Sequence, residues 1–314
     1  MRQEDRYIYQ VYCEGSFSKA AQKLFITQPA LSLAIQRVEQ QIGMPLFDRS
    51  SRPLALTAAG EVYIDTIEKE MHLEQELQRQ LCDIRERNTG SIRLGGSHYI
   101  NAYILPEILA GFQADYPGIQ IALHENDSAA LAQMLTEKNL DLTFSCNTAF
   151  VGDFNHFPAF YDSILLAVPS TWPINQTLQD CALSAPDVAA GKHLSRECPT
   201  VSLDSFRELP FILLKDGNNL HDRCYRMFRE AGFDPVVKME LSQLVTAYRM
   251  AEHQLAATFV SDRLVDPRDT ELRYYKLNHP LTHRRFYLLM PKNMYISCAT
   301  QTFAAYVRQH MENK

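Results

Sequence analysis

The 314-residue sequence has no apolar run near the roughly 20 residues that span a bilayer. A membrane partner is therefore not expected. Its opening residues, MRQEDRYIYQ, carry no apolar signal core, so export is not expected and a cytoplasmic location is. Seven cysteines, an odd number, are scattered without a CxxC pair. That favours mostly buried thiols in a reducing compartment over a disulfide framework. There is no GxSxG, no GxGxxG, no phosphate loop and no HExxH. His279 and His283 are four apart, but Pro280 between them argues for a loop rather than a helical metal pair. His124-Glu125 lacks a second His at the needed offset. No catalytic residue, metal or cofactor is expected, and the chain is not expected to be an enzyme.

What is present is an ordinary soluble composition, 46% apolar and 22% charged, long enough for two or three domains. Net charge is −6 but unevenly spread. Residues 1–60 hold seven basic and five acidic groups, a balance of +2 that leaves −8 for the remainder. A mildly basic head on an acidic body permits nucleic-acid binding without demanding it.

The head reads as three helices. Tyr7, Ile8, Val11 and Tyr12 give residues 4–13 one apolar face, and Gly15-Ser16 stops that helix. Ser16 can cap the next, about 17–24, which should bury Phe17, Ala20, Ala21 and Leu24. After a turn at Phe25-Ile26, Thr27 caps a third helix. Pro29 sits in its first turn, where a missing N–H costs little. Leu31, Ile35, Val38 and Ile42 form its buried stripe, and Gly43 ends it. The opposite face offers Gln28, Ser32, Gln36 and Arg37, short polar groups suited to base edges in a major groove. A plain helical hairpin with a solvated polar face fits that pattern equally well. Beyond it, MPLFDRSSRPLALTAAG reads as a two-stranded ribbon with Arg49 and Arg52 at its tip, placed to meet phosphates or the minor groove.

Residues 15–60 closely resemble the winged helix-turn-helix of the LysR-type transcriptional regulators. The matching elements are Gly15-Ser16-Phe17, Ala20-Ala21, Leu24, Gln28, Leu31-Ser32, Ile35, Arg37, Glu39, Gly43, Pro45-Leu46-Phe47, Arg49, Leu56-Thr57 and Gly60. The resemblance implies sequence-specific binding of double-stranded DNA. The residues expected to carry it are Ser18, Lys19, Thr27, Gln28, Pro29, Ser32, Gln36, Arg37, Arg49 and Arg52. One departure is Leu33, where the family often has Arg, which shifts base reading toward Gln28, Pro29, Ser32 and Gln36.

From about 58 to 88 there is no Gly after Gly60 and no Pro, so one long helix is expected. Ile64, Ile67, Met71, Leu77, Leu81 and Ile84 lie mostly on one stripe, which an isolated helix cannot bury. Packing on its own body would cover the stripe; so would a second copy. The resemblance implies the latter, a linker helix pairing subunits into a homodimer or homotetramer. Asn88-Thr89-Gly90 then reads as a hinge.

The body alternates strands (91–96, 119–125, 140–145, then 211–215, 236–241, 256–261) with helices (103–116, 128–138, 220–231, 242–252). This predicts parallel sheet covered by helices. Asn139 is expected to take the left-handed stop after the helix at 128–138. SILLAVP at 163–169 reads as a crossover into a second lobe, and RRFYLLMP at 284–291 with the helix at 298–312 as the return. Looser matches at Leu105-Pro106, Phe112, Tyr116-Pro117, Leu140-Asp141-Leu142 and Gly232-Phe233-Asp234-Pro235 extend the resemblance over nearly the whole chain. The implied architecture is an all-α winged helix-turn-helix head (1–60), a linker helix (58–88) and an α/β two-lobed effector domain (91–314). That domain is expected to be like periplasmic solute-binding proteins, with lobe I at about 91–162 and 270–314 and lobe II at about 163–269.

Polar residues at strand ends and helix starts are candidates for effector contact between the lobes: Ser97, His98, Tyr99, Asn126, Ser128, Ser145, Asn147, Asn218 and Asn219. Each could instead be an ordinary cap or turn residue. Helix N-termini there would favour an organic anion as the small-molecule effector. Glu252-His253-Gln254-Leu255 stands where relatives often have two glycines, and residues 174–200 are longer than usual, so a relative's ligand does not transfer safely. Cys181, Cys198 and Cys224 are weak candidates for a redox switch; some relatives carry a reactive Cys after an acidic-Gly turn, where this chain has Asn218-Asn219 following Asp216-Gly217. The rival reading is a solute-binding or enzymatic α/β protein whose first helices serve only in assembly.

Overall fold

The computed structural model describes residues 2–51, 53–85, 89–292 and 295–312. The chain divides into two compact units, Met1–Arg85 and Glu86–Lys314.

In the first unit, α1 (Gln3–Glu14), α2 (Phe17–Lys23) and α3 (Gln28–Ile42) are followed by β1 (Phe47–Asp48), β2 (Ala55–Leu56) and α4 (Ala58–Arg85). Each helix end has its cause in the sequence. Gly15 and Gly43 take left-handed φ of 57° and 78°. The Ser16 side chain accepts from the Lys19 amide. Ile8, Val11, Ala20, Ala21, Leu31, Ile35 and Val38 form the core, with Phe17, Leu24 and Ile42 packed at its edge; Tyr12 is largely exposed. β1 and β2 pair antiparallel, Phe47 opposite Leu56. The Thr57 hydroxyl accepts from the Gly60 amide at 3.0 Å and donates to the Pro45 carbonyl at 2.6 Å, fastening the ribbon to α4.

The apolar stripe of α4 is put to two uses. Ile64 and Ile67 are buried in the head core and Met71 packs against it. Leu73, Leu77 and Leu81, four residues apart, are 62%, 52% and 49% exposed. The side chain of Ile84, and Asn88 of the expected hinge, lie outside the described residues.

The second unit holds β3 (Gly90–Gly96), α5 (Leu105–Asp115), β4 (Ile119–Glu125), α6 (Ser128–Thr136), β5 (Leu142–Ser145), α7 (Thr148–Val151) and β6 (Asn155–Pro169). Then come α8 (Ile174–Thr177), α9 (Ala185–Ala189), β7 (Pro210–Leu214), α10 (Asn219–Glu230), β8 (Val236–Leu241) and α11 (Leu244–Glu252). β9 (Ala257–Ser261), β10 (Leu272–Lys276), β11 (His283–Met290) and α12 (Cys298–Glu312) complete it. The strand order is β4-β3-β5-β11-β6-β9-β7-β8, with β10 also on β6. β4-β3-β5 and β9-β7-β8 are parallel, as the strand–helix alternation predicts. β6, β10 and β11 are antiparallel to their neighbours, because the chain crosses between lobes there and returns.

β6 is one 15-residue strand serving both lobes. Residues 155–163 pair β11, and residues 164–169 lie between β9 and β10. Its run SILLAVP is buried throughout, as a strand covered on both faces must be. Three boundaries move from those expected. β10 pairs the second-lobe half of β6, so the return to the first lobe falls between Lys276 and His283 rather than near 270. Lys138, not Asn139, takes the left-handed turn (φ 66°), because α6 ends two residues earlier than its pattern suggested. The expected helix at 103–116 starts instead as a π-helical turn at Ile100–Ile104.

Candidate nucleic-acid interface and ligand cleft

α3 presents the polar face. Thr27 caps it, accepting from the Ala30 amide at 3.4 Å, and Pro29 occupies the first turn. Gln28, Pro29, Gln36 and Arg37 are exposed, and Ser32 is half-buried. The Gln28 side-chain amide donates to the Ser32 hydroxyl at 3.1 Å, so those two groups are already oriented along one edge. Leu33 is 50% exposed on the same helix. Ser18 and Lys19 lie exposed in the first turn of α2. Neither Lys19 nor Arg37 is in an ion pair among the described residues.

Arg49 is not a free tip residue. Its guanidinium donates to Glu39 at 3.2 Å and lies 5.0 Å from the Phe17 ring centroid. Glu39 also accepts from the Leu46 amide at 2.8 Å. Arg49 thus ties α2 and α3 to the ribbon while its side chain stays 48% exposed. The ribbon's turn is set by Asp48, which accepts from the Ser50 amide and hydroxyl and the Ser51 hydroxyl. Those donors, Ser50 first, hold its carboxyl at about 2. Arg52 lies outside the described residues.

In the second unit the nine candidate ligand contacts separate into groups. His98 pairs with Glu125 at 3.3 Å, and Asn126 accepts from the next amide; both contacts stay within the first lobe. Asp127, rather than Ser128, caps α6, accepting from the Ala130 amide at 2.8 Å. Asn147 and Asn218 cap α7 and α10, and buried Ser145 accepts from the Asn147 amide. Ser97 is half-buried at the end of β3. Close behind it, a Cβ on Gly96 would sit 2.0 Å from Asn101 Oδ1, so a side chain there would displace Asn101.

Tyr99 and Asn219 reach across the lobes. Tyr99 is buried, and its hydroxyl donates to Asp162 at 3.0 Å and lies 2.9 Å from the Ser261 hydroxyl. Ser261 donates to the same carboxylate oxygen at 2.8 Å. Arg284 grips Asp162 with two nitrogens, one at 2.8 Å, and its guanidinium stacks near Tyr99 and Phe286. All four side chains are at least nine-tenths buried. Burial works against the Arg284 charge, but Asp162 overrides it and holds the guanidinium above its usual range. Burial and then Asp162 push the Tyr99 hydroxyl well up, keeping it a neutral donor. Tyr99 is therefore a brace between lobes.

The Asn219 carbonyl oxygen accepts from Arg223 at 2.8 Å and from the Cys146 thiol, in the other lobe, at 3.1 Å. Arg223 also donates to the Leu281 carbonyl at 3.0 Å, on the return crossing. It meets no carboxylate among the described residues. Burial and neighbouring Arg284 lower its pKa, yet a guanidinium stays charged. The cluster therefore carries an unneutralised positive charge beside the lobe junction. Burial raises the Cys146 and Cys224 thiols, which makes both poor nucleophiles. Sequence reasoning missed Asp162, Ser261, Arg284, Cys146 and Arg223. The usable signal was an ionisable residue set inside a long apolar run, in YDSILLAVP and RRFYLLM.

Among the described residues, Asp216, His221 and Asp222 bring ligand-type atoms within 4.8 Å of one another at the surface. No described helix is long and apolar enough to cross a membrane.

Residues 4–61 match the helix-turn-helix domain of bacterial regulatory proteins of the lysR family. Residues 85–185 and 188–312 match the LysR substrate binding domain. The chain is 26% identical over 309 residues to the uncharacterized HTH-type transcriptional regulator YcgK of Bacillus subtilis (strain 168), covering 98% of this chain and 93% of that one. In fold it is similar to full-length CbnR complexed with its target DNA (TM-score 0.70, 17% identity, 98% and 99% covered). The effector binding domain of QuiR in complex with shikimate is also similar (TM-score 0.58, 15% identity), covering 72% of this chain and 98% of that one. With both domains matched in order across nearly its full length, the chain belongs to the LysR family and is a DNA-binding transcriptional regulator with a substrate-binding domain.

Proposed function

We propose that this regulator reads double-stranded DNA with α3 and is controlled by a small organic anion held between the lobes of its second unit, beside Arg223. Gln28, Pro29, Ser32 and Gln36 face base edges. Thr27, Ser18, Lys19 and Arg37 meet the phosphate backbone. Arg49 positions the ribbon through Glu39 and reaches phosphate with its exposed edge. The leucines at 73, 77 and 81 pair with a second copy, giving a homodimer or homotetramer with adjacent heads. The protein works in the cytoplasm and is not an enzyme.

The observation that carries the effector reading is Arg223, a half-buried cation at the lobe junction with no carboxylate partner among the described residues. A ligand carboxylate would supply that partner, and Asn219 and Cys146 would flank it. Ligand control requires only that the anion prefer one inter-lobe angle.

Two measurements test this. In fluorescence anisotropy with the DNA upstream of the protein's own gene, Gln28→Ala and Ser32→Ala should each weaken specific binding roughly tenfold and leave the salt dependence unchanged. Arg37→Ala should lower the salt slope by about one and weaken all sequences alike. Equal affinity of wild type and Gln28→Ala for the specific site would remove α3 as the reader. In a thermal-shift screen of small carboxylates, a stabilising hit should lose its shift in Arg223→Met. A hit that stabilises both proteins equally would place the anion elsewhere.

A further inference from the structure

The sheet of the second unit keeps one stretch of open face, on the outer side of β6 and β11. Along β11, Arg284, Phe286 and Leu288 are buried, while His283 and Arg285 are exposed and Tyr287 is half-buried. On β6, Tyr161 stands directly opposite Arg285 and Pro158 opposite Tyr287, so these side chains share the outer face. Farther along the same face, Leu289 is covered by the small apolar cluster of α6 and α7, and Tyr287 packs at its edge. Toward His283 that cover ends, and Tyr161 is 58% exposed.

A cation stands between rings on this open stretch. The Arg285 guanidinium lies 5.3 Å from the Tyr161 ring centroid and 5.2 Å from that of Tyr287. The His156 ring meets Tyr287 edge-on at 5.4 Å, which steadies the second ring. The register shift between Phe286 and Tyr287 falls inside the stretch, and such a bulge re-aims side chains. A guanidinium flanked by rings keeps its N–H edge available for a carboxylate. Arg285 forms no salt bridge among the described residues, and neither tyrosine hydroxyl has a hydrogen-bond partner there.

We propose that this face docks an acidic segment of another protein, with an Asp or Glu side chain seated on Arg285 and the tyrosine hydroxyls bonding its neighbours. Charge complementarity selects that guest. Residues 61–314 carry a net −8, which repels a long polyanion. Nucleic acids bind through a series of phosphate contacts, whereas the outer face of β6 and β11 offers a single arginine. One planar fork suits one or two carboxylates. From His283 to Tyr287 the stretch runs about 13 Å, room for roughly four residues of extended chain.

Fluorescence anisotropy of the full-length protein with a labelled hexapeptide of alternating Glu and Asp, and with its Gln/Asn counterpart, tests this. The acidic peptide should bind with a Kd of roughly 10 μM to 1 mM and the neutral one at least tenfold more weakly. Arg285→Met keeps an apolar stem between the rings and removes the charge; it should weaken the acidic peptide at least tenfold. Arg285→Lys keeps the charge but loses the fork and should fall between the two. Tyr161→Ser, at an exposed ring, should weaken binding several-fold and checks the site independently of Arg285. Binding should persist when the head is saturated with the DNA upstream of the gene. The melting temperature of each variant serves as the folding control. Equal affinity of wild type and Arg285→Met for the acidic peptide would overturn the assignment. So would release of the peptide by that DNA, which would place it on the head. A single-stranded oligothymidine whose binding drops in Arg285→Met would overturn it too, by making this face a nucleic-acid site.

Discussion

Asp162→Ala is expected to destabilise the second unit by roughly 3–5 kcal/mol, the usual cost of stranding one partner of a buried ion pair. The carboxylate holds Arg284, Tyr99 and Ser261 at once. Removing it leaves a guanidinium, 5% exposed, with no counter-charge at that position. The experiment has a convenient reporter: the chain's single tryptophan is Trp172, which packs against the core of this unit, so its fluorescence in urea follows that unit alone. A double variant, Asp162→Leu with Arg284→Met, should recover much of the loss, because it removes the unpaired charge along with its partner. A loss below about 1 kcal/mol for Asp162→Ala would mean that Arg284 finds another anion or water, and that the network is not what joins the lobes.

Gly60→Ala is expected to cost the head about 2–3 kcal/mol and to lower DNA affinity at least tenfold, a large effect for one methyl group. A Cβ on Gly60 would stand 2.0 Å from the Leu46 carbonyl oxygen and 3.0 Å from a Leu56 methyl. Leu46 cannot retreat. It is fully buried, its amide donates to Glu39 and its carbonyl accepts from Thr57. The strain therefore passes to the ribbon and, through Glu39 and Arg49, to α2 and α3. Urea unfolding followed by circular dichroism, with anisotropy on operator DNA, measures both effects. Wild-type stability together with wild-type affinity would show that α4 and the ribbon can separate without consequence.

These two sites mark how far the sequence could be read. Gly60 stood out as part of a spaced motif, but only the close approach of Leu46 explains why a side chain is excluded. The head was legible because its helices are short, α2 and α3 are capped by Ser16 and Thr27, and α1 and α3 end at Gly15 and Gly43. Local chemistry decides such boundaries. The strand–helix alternation of the body was legible for the same reason. The crossings were not, because antiparallel pairing of β6 with β9, β10 and β11 joins residues about 90 to 135 apart. Position alone makes polar strand-end residues candidates for ligand contact and for ordinary caps alike. Asn147 and Asn218 proved to spend their carbonyl oxygens on helix caps, and Tyr99 its hydroxyl on Asp162. Arg223 sits on a helix whose local pattern looks unremarkable, and Arg284 borders the apolar run FYLLM, which does not reveal its partner. Their importance comes from what the fold brings opposite them.

The unbroken run of β6 through both lobes limits how the second unit can respond to a small molecule. Fifteen residues at roughly 3.3 Å each make a beam near 50 Å long, with one register shift where Ala159 stands opposite the Phe286–Tyr287 step. A change in the angle between the lobes has to bend or wind that shared strand, and the main-chain ladder on both sides of it resists the change.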